Sequence, residues 1–325
     1  MPASQRYELQ NKRVWVAGHR GLVGSALVRR LARENCQVLT ASRDEFDLRR
    51  REQVDRFFAA ARPHAVFLAA AKVGGIQANN SQPADFIYDN LAIELNVIEA
   101  ARSFGVEKLM LLGSSCIYPR LSPQPIPEGA LLTGPLEATN EWYAIAKIAG
   151  IKLAQAYRRQ HGCDFVSVMP TNLYGPHDRF DLVSSHVVPA LIAKAHAAKI
   201  VRASVMSVWG SGKPMREFLH ADDAADGMVF FMKHYSAEEI VNLGTGTDVS
   251  IADLARTVAR IVGFDGSLVF DTSKPDGTPR KLLDVSKAAA LGWSAQTSLN
   301  DGLSKTYQWY LEHQRADRER ALAIA

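Results

Sequence analysis

Residues 11–31 constrain this chain more than any other stretch. Val14-Trp15-Val16-Ala17 is a short apolar run of buried-strand character. It passes directly into Gly18-His19-Arg20-Gly21-Leu22-Val23-Gly24 and then into Ser25-Ala26-Leu27-Val28-Arg29-Arg30-Leu31, which has helical spacing. Glycines also gather in ordinary turns; a strand before and a helix after are what give this triplet its meaning. Gly18 allows the tight turn, Gly21 lets backbone approach a pyrophosphate, and Gly24 lets the helix pack closely on the strand. The helix N-terminus then offers free N–H groups and partial positive charge to phosphate. Gly18, His19, Arg20, Gly21, Leu22, Val23 and Gly24 are therefore the first candidates for holding a dinucleotide.

The rest of the chain repeats that unit. Apolar strand runs fall at 37–41, 65–69, 108–112 and 165–169, separated by helical patterns at 51–61, 84–104 and 141–161. This alternation predicts a parallel, doubly wound α/β sheet of the Rossmann type. After about residue 176 the rhythm breaks into helices at 185–199, 224–234, 251–262 and 299–313 and short strands at 205–209, 216–220, 240–243 and 268–271. The expected division is a dinucleotide-binding domain over 1–180, with 218–245 returning to it. A smaller C-terminal α/β substrate domain would occupy 181–217 and 246–316, leaving 317–325 as a frayed tail.

Composition narrows the partners. Of 325 residues, 47% are hydrophobic and 22% charged, and no apolar run is long enough for a membrane span. Residues 1–9 lack the apolar core of a signal peptide, so the expected setting is the cytoplasm. The formal charge of +4 suits anionic small molecules, while no basic block points to nucleic acid. Cys36, Cys116 and Cys163 have neither metal-ligand nor disulfide spacing, and no metal is expected.

The cofactor's identity is written at the end of the second strand. Dinucleotide folds that prefer NAD place an acid there for the ribose 2′-hydroxyl. This chain has Ala41-Ser42-Arg43, so Arg43, with Arg20 from the glycine loop, would hold a 2′-phosphate, which argues for NADP(H). Asp47 and Leu48 would meet the adenine edge. Tyr143 and Lys147 lie four apart on one helix face. An ammonium beside a phenol stabilises the phenolate and is expected to lower the Tyr143 pKa, making it a proton donor to a carbonyl under reduction. Ser114 closes the fourth strand, at the sheet edge where such folds bind ligand, and its hydroxyl would hold the same carbonyl oxygen.

These motifs resemble the extended short-chain dehydrogenase/reductases. The resemblance runs from about Lys12 to about His313 and is carried by residues 17–24, 69–76, 112–119, 143–150, 169–177, 209–220 and 274–284. Within that family it is similar to enzymes that turn GDP-4-keto-6-deoxy-D-mannose into GDP-L-fucose, epimerising C3 and C5 and then reducing C4 with NADPH. The resemblance implies Ser114, Tyr143 and Lys147 as the reductase set and Cys116 and His186 as the acid/base pair of epimerisation. It places Leu112, Gly113, Ser114, Ser115, Tyr143, Lys147, Pro170, Thr171, Asn172, Leu173 and His186 against the cofactor. Trp209, Arg216, Asp276 and Lys281 would bind the GDP-sugar. Lys194 stands where the family usually has an arginine, keeping the charge without the bidentate fork. Extended reductases commonly pair through the helices at 84–104 and 141–161, whose apolar residues exceed what one sheet face needs, so a homodimer is expected.

The chemistry suits the residue types. C3 and C5 both flank the C4 carbonyl, so donors gripping that oxygen acidify both C–H bonds and also stabilise the alkoxide of reduction. Inverting a carbon needs proton removal on one face and return on the other, and a thiol and an imidazole both exchange protons near neutrality. Two other readings stay open. A nucleotide-sugar 4-epimerase or 4,6-dehydratase shares the fold, although dehydratases typically carry Thr-Asp-Glu near Ser115 and Cys116 and 4-epimerases lack the cysteine. A non-catalytic NADP-binding sensor would tend to lose the tyrosine or lysine that this chain keeps.

Overall fold

The computed structural model describes residues 6–181 and 185–324. Its framework is a six-stranded parallel sheet built from β1 (Arg13–Ala17), β2 (Gln37–Leu39), β3 (Ala65–Leu68), β4 (Lys108–Leu112), β5 (Asp164–Pro170) and β9 (Val241–Leu243), in the order β2-β1-β3-β4-β5-β9. Side chains alternate across it. Val14, Val16, Phe67, Met110 and Val166 point to one face, where α1 (Leu22–Leu31) and α7 (Ala221–His234) supply Leu27, Leu31, Met228 and Val229. Trp15, Val66, Leu68, Leu109 and Leu111 point to the other, against α2 (Arg51–Ala61), α4 (Pro83–Ser103) and α5 (Glu141–His161). Both faces are covered, which is why these strands read as unbroken apolar runs.

The chain leaves β1 in one direction to form β2 and returns on its other side to form β3. Ligands of such sheets bind outside the strands' carboxyl ends at this reversal. The loops that open there are the glycine loop after β1 and the small-residue segment after β3. They touch: a side chain at Gly18 (φ +88°) would lie 2.9 Å from the Ala70 backbone.

The second lobe is smaller. β6 (Asn172–Tyr174), β8 (Met215–His220), β10 (Asp248–Ser250) and β12 (Arg280–Lys281) form one sheet, and β7 (Val205–Trp209) pairs in parallel with β11 (Ser267–Asp271). Helices α6 (Val187–Ile200), α8 (Ile251–Val262) and α10 (Leu299–Ile324) bury Leu191, Ile192, Leu254, Val258 and Leu303 in their own core. Two short helices, α3 (Ile76–Ser81) and α9 (Ser286–Ala290), complete the set. The last helix runs on to Ile324, past the end at residue 313 read from the sequence. No helix among the described residues is long and apolar enough to cross a membrane.

Candidate active site

The glycine loop fits a pyrophosphate in the parts that can be tested. A Cβ on Gly24 would overlap the Gly18 carbonyl and the His19 backbone, so only glycine lets α1 start this close to β1. Around Gly21 the space is open, with only the Gly18 oxygen within contact, at 3.5 Å. Gly21 is the N-cap of α1 and contributes no capping side chain, leaving the first-turn N–H groups facing outward. At the end of β2, Arg43 and Arg20 are both exposed, and Arg20 Nη1 lies 3.4 Å from Asp44 Oδ2. Burial holds the His19 imidazole below its ordinary value.

Asp47 is less available than the sequence implies. Its carboxylate lies 2.7 Å from the Arg49 guanidinium, which also reaches Asp89 at 2.9 Å. That pairing holds Asp47 below the usual carboxylate range. Leu48 is half-buried against the core, and its carbonyl accepts from Asn96 at 2.9 Å.

The end of β4 assembles the next group. Gly113 donates to the Val168 carbonyl at 2.9 Å, and a side chain there would collide with Met169. Ser114 caps the short turn Ser115–Ile117, its hydroxyl accepting from the Cys116 backbone N–H at 3.2 Å. Ser115 is buried. The Ser114 hydroxyl is also within hydrogen-bonding reach of Tyr143. The Lys147 ammonium sits 5.9 Å from the Tyr143 ring centre and donates to the Leu112 carbonyl at 2.9 Å. Three segments remote in sequence thereby meet at the end of β4.

Tyr143 corrects one expectation. Its pKa is raised, not lowered, because burial of the phenol outweighs the opposing pull of Lys147, and Cys116 and Glu94 add to the rise. The group is therefore a neutral phenol at working pH. That is the form a proton donor needs.

Cys116 is half-buried between two donors that the sequence did not assign to it. The Asn140 amide donates to its sulfur at 3.3 Å and the Lys281 ammonium at 3.8 Å. Lys281, expected at the substrate, thus reaches the thiol. Asn140 was missed altogether, although it directly precedes the helix bearing Tyr143. His186 stands at the N-cap of α6. His186 is exposed, and partial desolvation, with Arg179 nearby, holds its imidazole below the ordinary value.

Pro170 ends β5 and Thr171 is buried, its N–H donating to Leu243 at 3.0 Å. Asn172 donates to the Glu217 carbonyl at 2.8 Å, and Leu173 is half-buried. Glu217, fully buried, accepts from the backbone of Thr245 at 2.6 Å, Gly246 at 2.7 Å and Leu283 at 3.0 Å. It fixes the strands that carry Arg216 and Lys281.

The smaller lobe carries an aromatic and cationic group. Trp209 is 46% exposed at the end of β7, with Lys194 Nζ 4.8 Å and Lys274 Nζ 5.5 Å from its ring centre. Arg216 Nη2 lies 3.5 Å from the Asp276 carbonyl, and the Asp276 carboxylate accepts from the Ser211 N–H and hydroxyl at 2.7 and 2.8 Å. A flat ring flanked by ammonium groups is what a purine and its diphosphate require. Among the described residues no group of three or more His, Cys, Asp or Glu side chains could hold a metal ion.

Residues 14–244 match the NAD dependent epimerase/dehydratase family. The chain belongs to that family. Its relatives there include the GDP-L-fucose synthase of Sinorhizobium fredii, 60% identical over 94% of this chain and 98% of that protein. The GDP-L-fucose synthase of Escherichia coli is 54% identical over 94% of this chain and 98% of its own length. A solved family structure, the GDP-L-fucose synthetase of Naegleria fowleri bound to NADP, superposes with a TM-score of 0.88. It is 32% identical and covers 96% of this chain and 98% of that one.

Proposed function

We propose that this chain converts GDP-4-keto-6-deoxy-D-mannose into GDP-L-fucose, inverting C3 and C5 and then reducing C4 with NADPH. One observation carries the reading: a thiol gripped by Asn140 and Lys281 lies beside Tyr143, in the same cluster as Ser114 and Lys147. A simple reductase has no use for that thiol. The identity to GDP-L-fucose synthases over nearly the whole chain supports the same substrate.

In this reading Trp209 stacks on the guanine, while Lys194, Lys274 and Arg216 meet the diphosphate. The C4 carbonyl oxygen lies between the Tyr143 and Ser114 hydroxyls. Cys116 takes the proton from C3, the negative charge moves to the C4 oxygen where the two hydroxyls hold it, and His186 returns a proton to the opposite face. Once Cys116 has released that proton to solvent and His186 has taken one up, the same exchange inverts C5. The loop from Gly18 to Gly24, Arg43 and Arg20, and residues 112–115 and 170–173 would hold NADPH, which would supply the hydride for C4. Tyr143 then gives its proton to the C4 oxygen, and Lys147 stabilises the phenolate left behind.

The test is product identification by NMR after incubating purified protein with NADPH and GDP-4-keto-6-deoxy-D-mannose. GDP-L-fucose is expected. A 6-deoxyhexose reduced at C4 with C3 and C5 uninverted would overturn the epimerase half, and NADPH left unconsumed would overturn the whole reading.

A further inference from the structure

We propose that Glu94 is a positioning residue for the reduction, fixing Lys147 as an ammonium beside Tyr143. This rests on the reading of Tyr143 and Lys147 as the reductase pair. Glu94 lies on α4 and Lys147 on the neighbouring α5, and the two side chains, each 2% exposed, meet at 2.9 Å. Beyond this ion pair, neither Glu94 carboxylate oxygen finds a hydrogen-bond donor among the described residues. The carboxylate therefore has Lys147 as its one partner there; burial raises its own pKa, and the Lys147 charge opposes that rise.

Room for it is supplied by α5. Gly150, less than one turn beyond Lys147, packs so closely that a Cβ there would overlap Glu94 Oε2. One helix thus carries both the ammonium and the gap that admits its counter-ion. The lysine is held at three points: the Glu94 carboxylate, the Leu112 carbonyl at 2.9 Å, and the Tyr143 ring. A fully buried ammonium without an opposite charge tends to release its proton, because desolvation penalises the charged form. Here burial pulls Lys147 down, Glu94 pulls it up more strongly, and the net direction is upward. The titratable groups facing Lys147 are Glu94 on α4 and the Tyr143 phenol on its own helix.

The experiment is the pH profile of NADPH oxidation with the 4-keto sugar, for wild type, Glu94→Gln and Glu94→Asp. The amide keeps size and removes charge, so Lys147 should lose its proton at lower pH. Glu94→Gln is expected to stay within about threefold of wild-type kcat at pH 6 and to fall at least tenfold below it by pH 9, with the GDP-sugar KM unchanged. That corresponds to an alkaline limb moved down by about one unit or more. Glu94→Asp, which keeps the charge, should restore the wild-type limb. Glu94→Gln giving a superimposable profile, or a uniform loss at every pH, would overturn the proposal. Should Glu94→Gln not fold, Gly150→Ala, which displaces the carboxylate, must show the same limb shift or the proposal fails.

Thermal melts add a readout independent of turnover. In Glu94→Gln the lysine's folded pKa drops below its unfolded value, so its penalty is complete at neutral pH and fades as pH rises toward the unfolded pKa. The gap in Tm from wild type should therefore narrow between pH 7 and 10, and a constant gap counts against the ion pair. Wild type lacking turnover would sink the functional reading while these melts still judge Glu94.

Discussion

Tyr143 remains a neutral phenol because its burial outweighs the pull of Lys147. Replacing it with phenylalanine removes the proton donor without emptying the site. Hydride transfer should then fall by about 10²–10⁴-fold while NADPH binding, followed by its fluorescence, is retained. At the other end of the cofactor, Arg43 is exposed at the end of β2 where an acid would favour NAD. A charge-assisted pair to a 2′-phosphate contributes about 1.5–3 kcal/mol. Arg43→Ala should raise the NADPH KM at least tenfold and leave NADH kinetics nearly unchanged; equal losses with both would remove the 2′-phosphate assignment. The residues legible in the sequence were those whose neighbours are local: Gly18 to Gly24, or Tyr143 and Lys147 one turn apart. Asn140 and Glu94 were not, because what they do depends on partners brought in by folding. Glu94 had left a trace, as an acid on the otherwise apolar face of a helix that also carries Leu91 and Ile98.

At the scale of elements, the glycines of the loop have separable jobs. Gly24→Ala would drive a methyl into the Gly18 carbonyl and should destabilise the fold by about 1–3 kcal/mol, measured by urea unfolding. Gly21→Ala meets only the Gly18 oxygen at 3.5 Å, so stability should change little while NADPH binding weakens. If both variants lose stability alike, the assignment of Gly21 to close cofactor approach is wrong. The main sheet was readable because strands buried on both faces announce themselves as apolar runs between amphipathic helices. Strands β6, β10 and β12 were not. They span two or three residues, too few for any periodicity, and exist because β8 offers an edge on each side. The tail was read as frayed from its charged and alanine-rich composition, yet that composition suits the single helix that continues through it.

At the scale of the whole molecule, α4 and α5 pack side by side and leave apolar groups on their outer surface. Tyr88 and Leu95, two turns apart on α4, and Trp142 on α5 are all exposed. We propose that a second copy of this chain covers them. Light scattering at micromolar concentration should give a dimer, and Leu95→Lys a monomer; a monomeric wild type would refute it. The central claim is that one cleft performs two chemistries with separate proton carriers, Cys116 for the ring carbons and Tyr143 for the C4 oxygen. Its most direct test is NMR of the sugar nucleotide recovered after incubation in D₂O with Cys116→Ser, run beside NADPH binding. Serine keeps the size and gives up the thiol's proton chemistry. Deuterium wash-in at C3 and C5 should be lost while cofactor and GDP-sugar still bind. Exchange at the wild-type rate would contradict the account and leave Cys116 as a packed thiol.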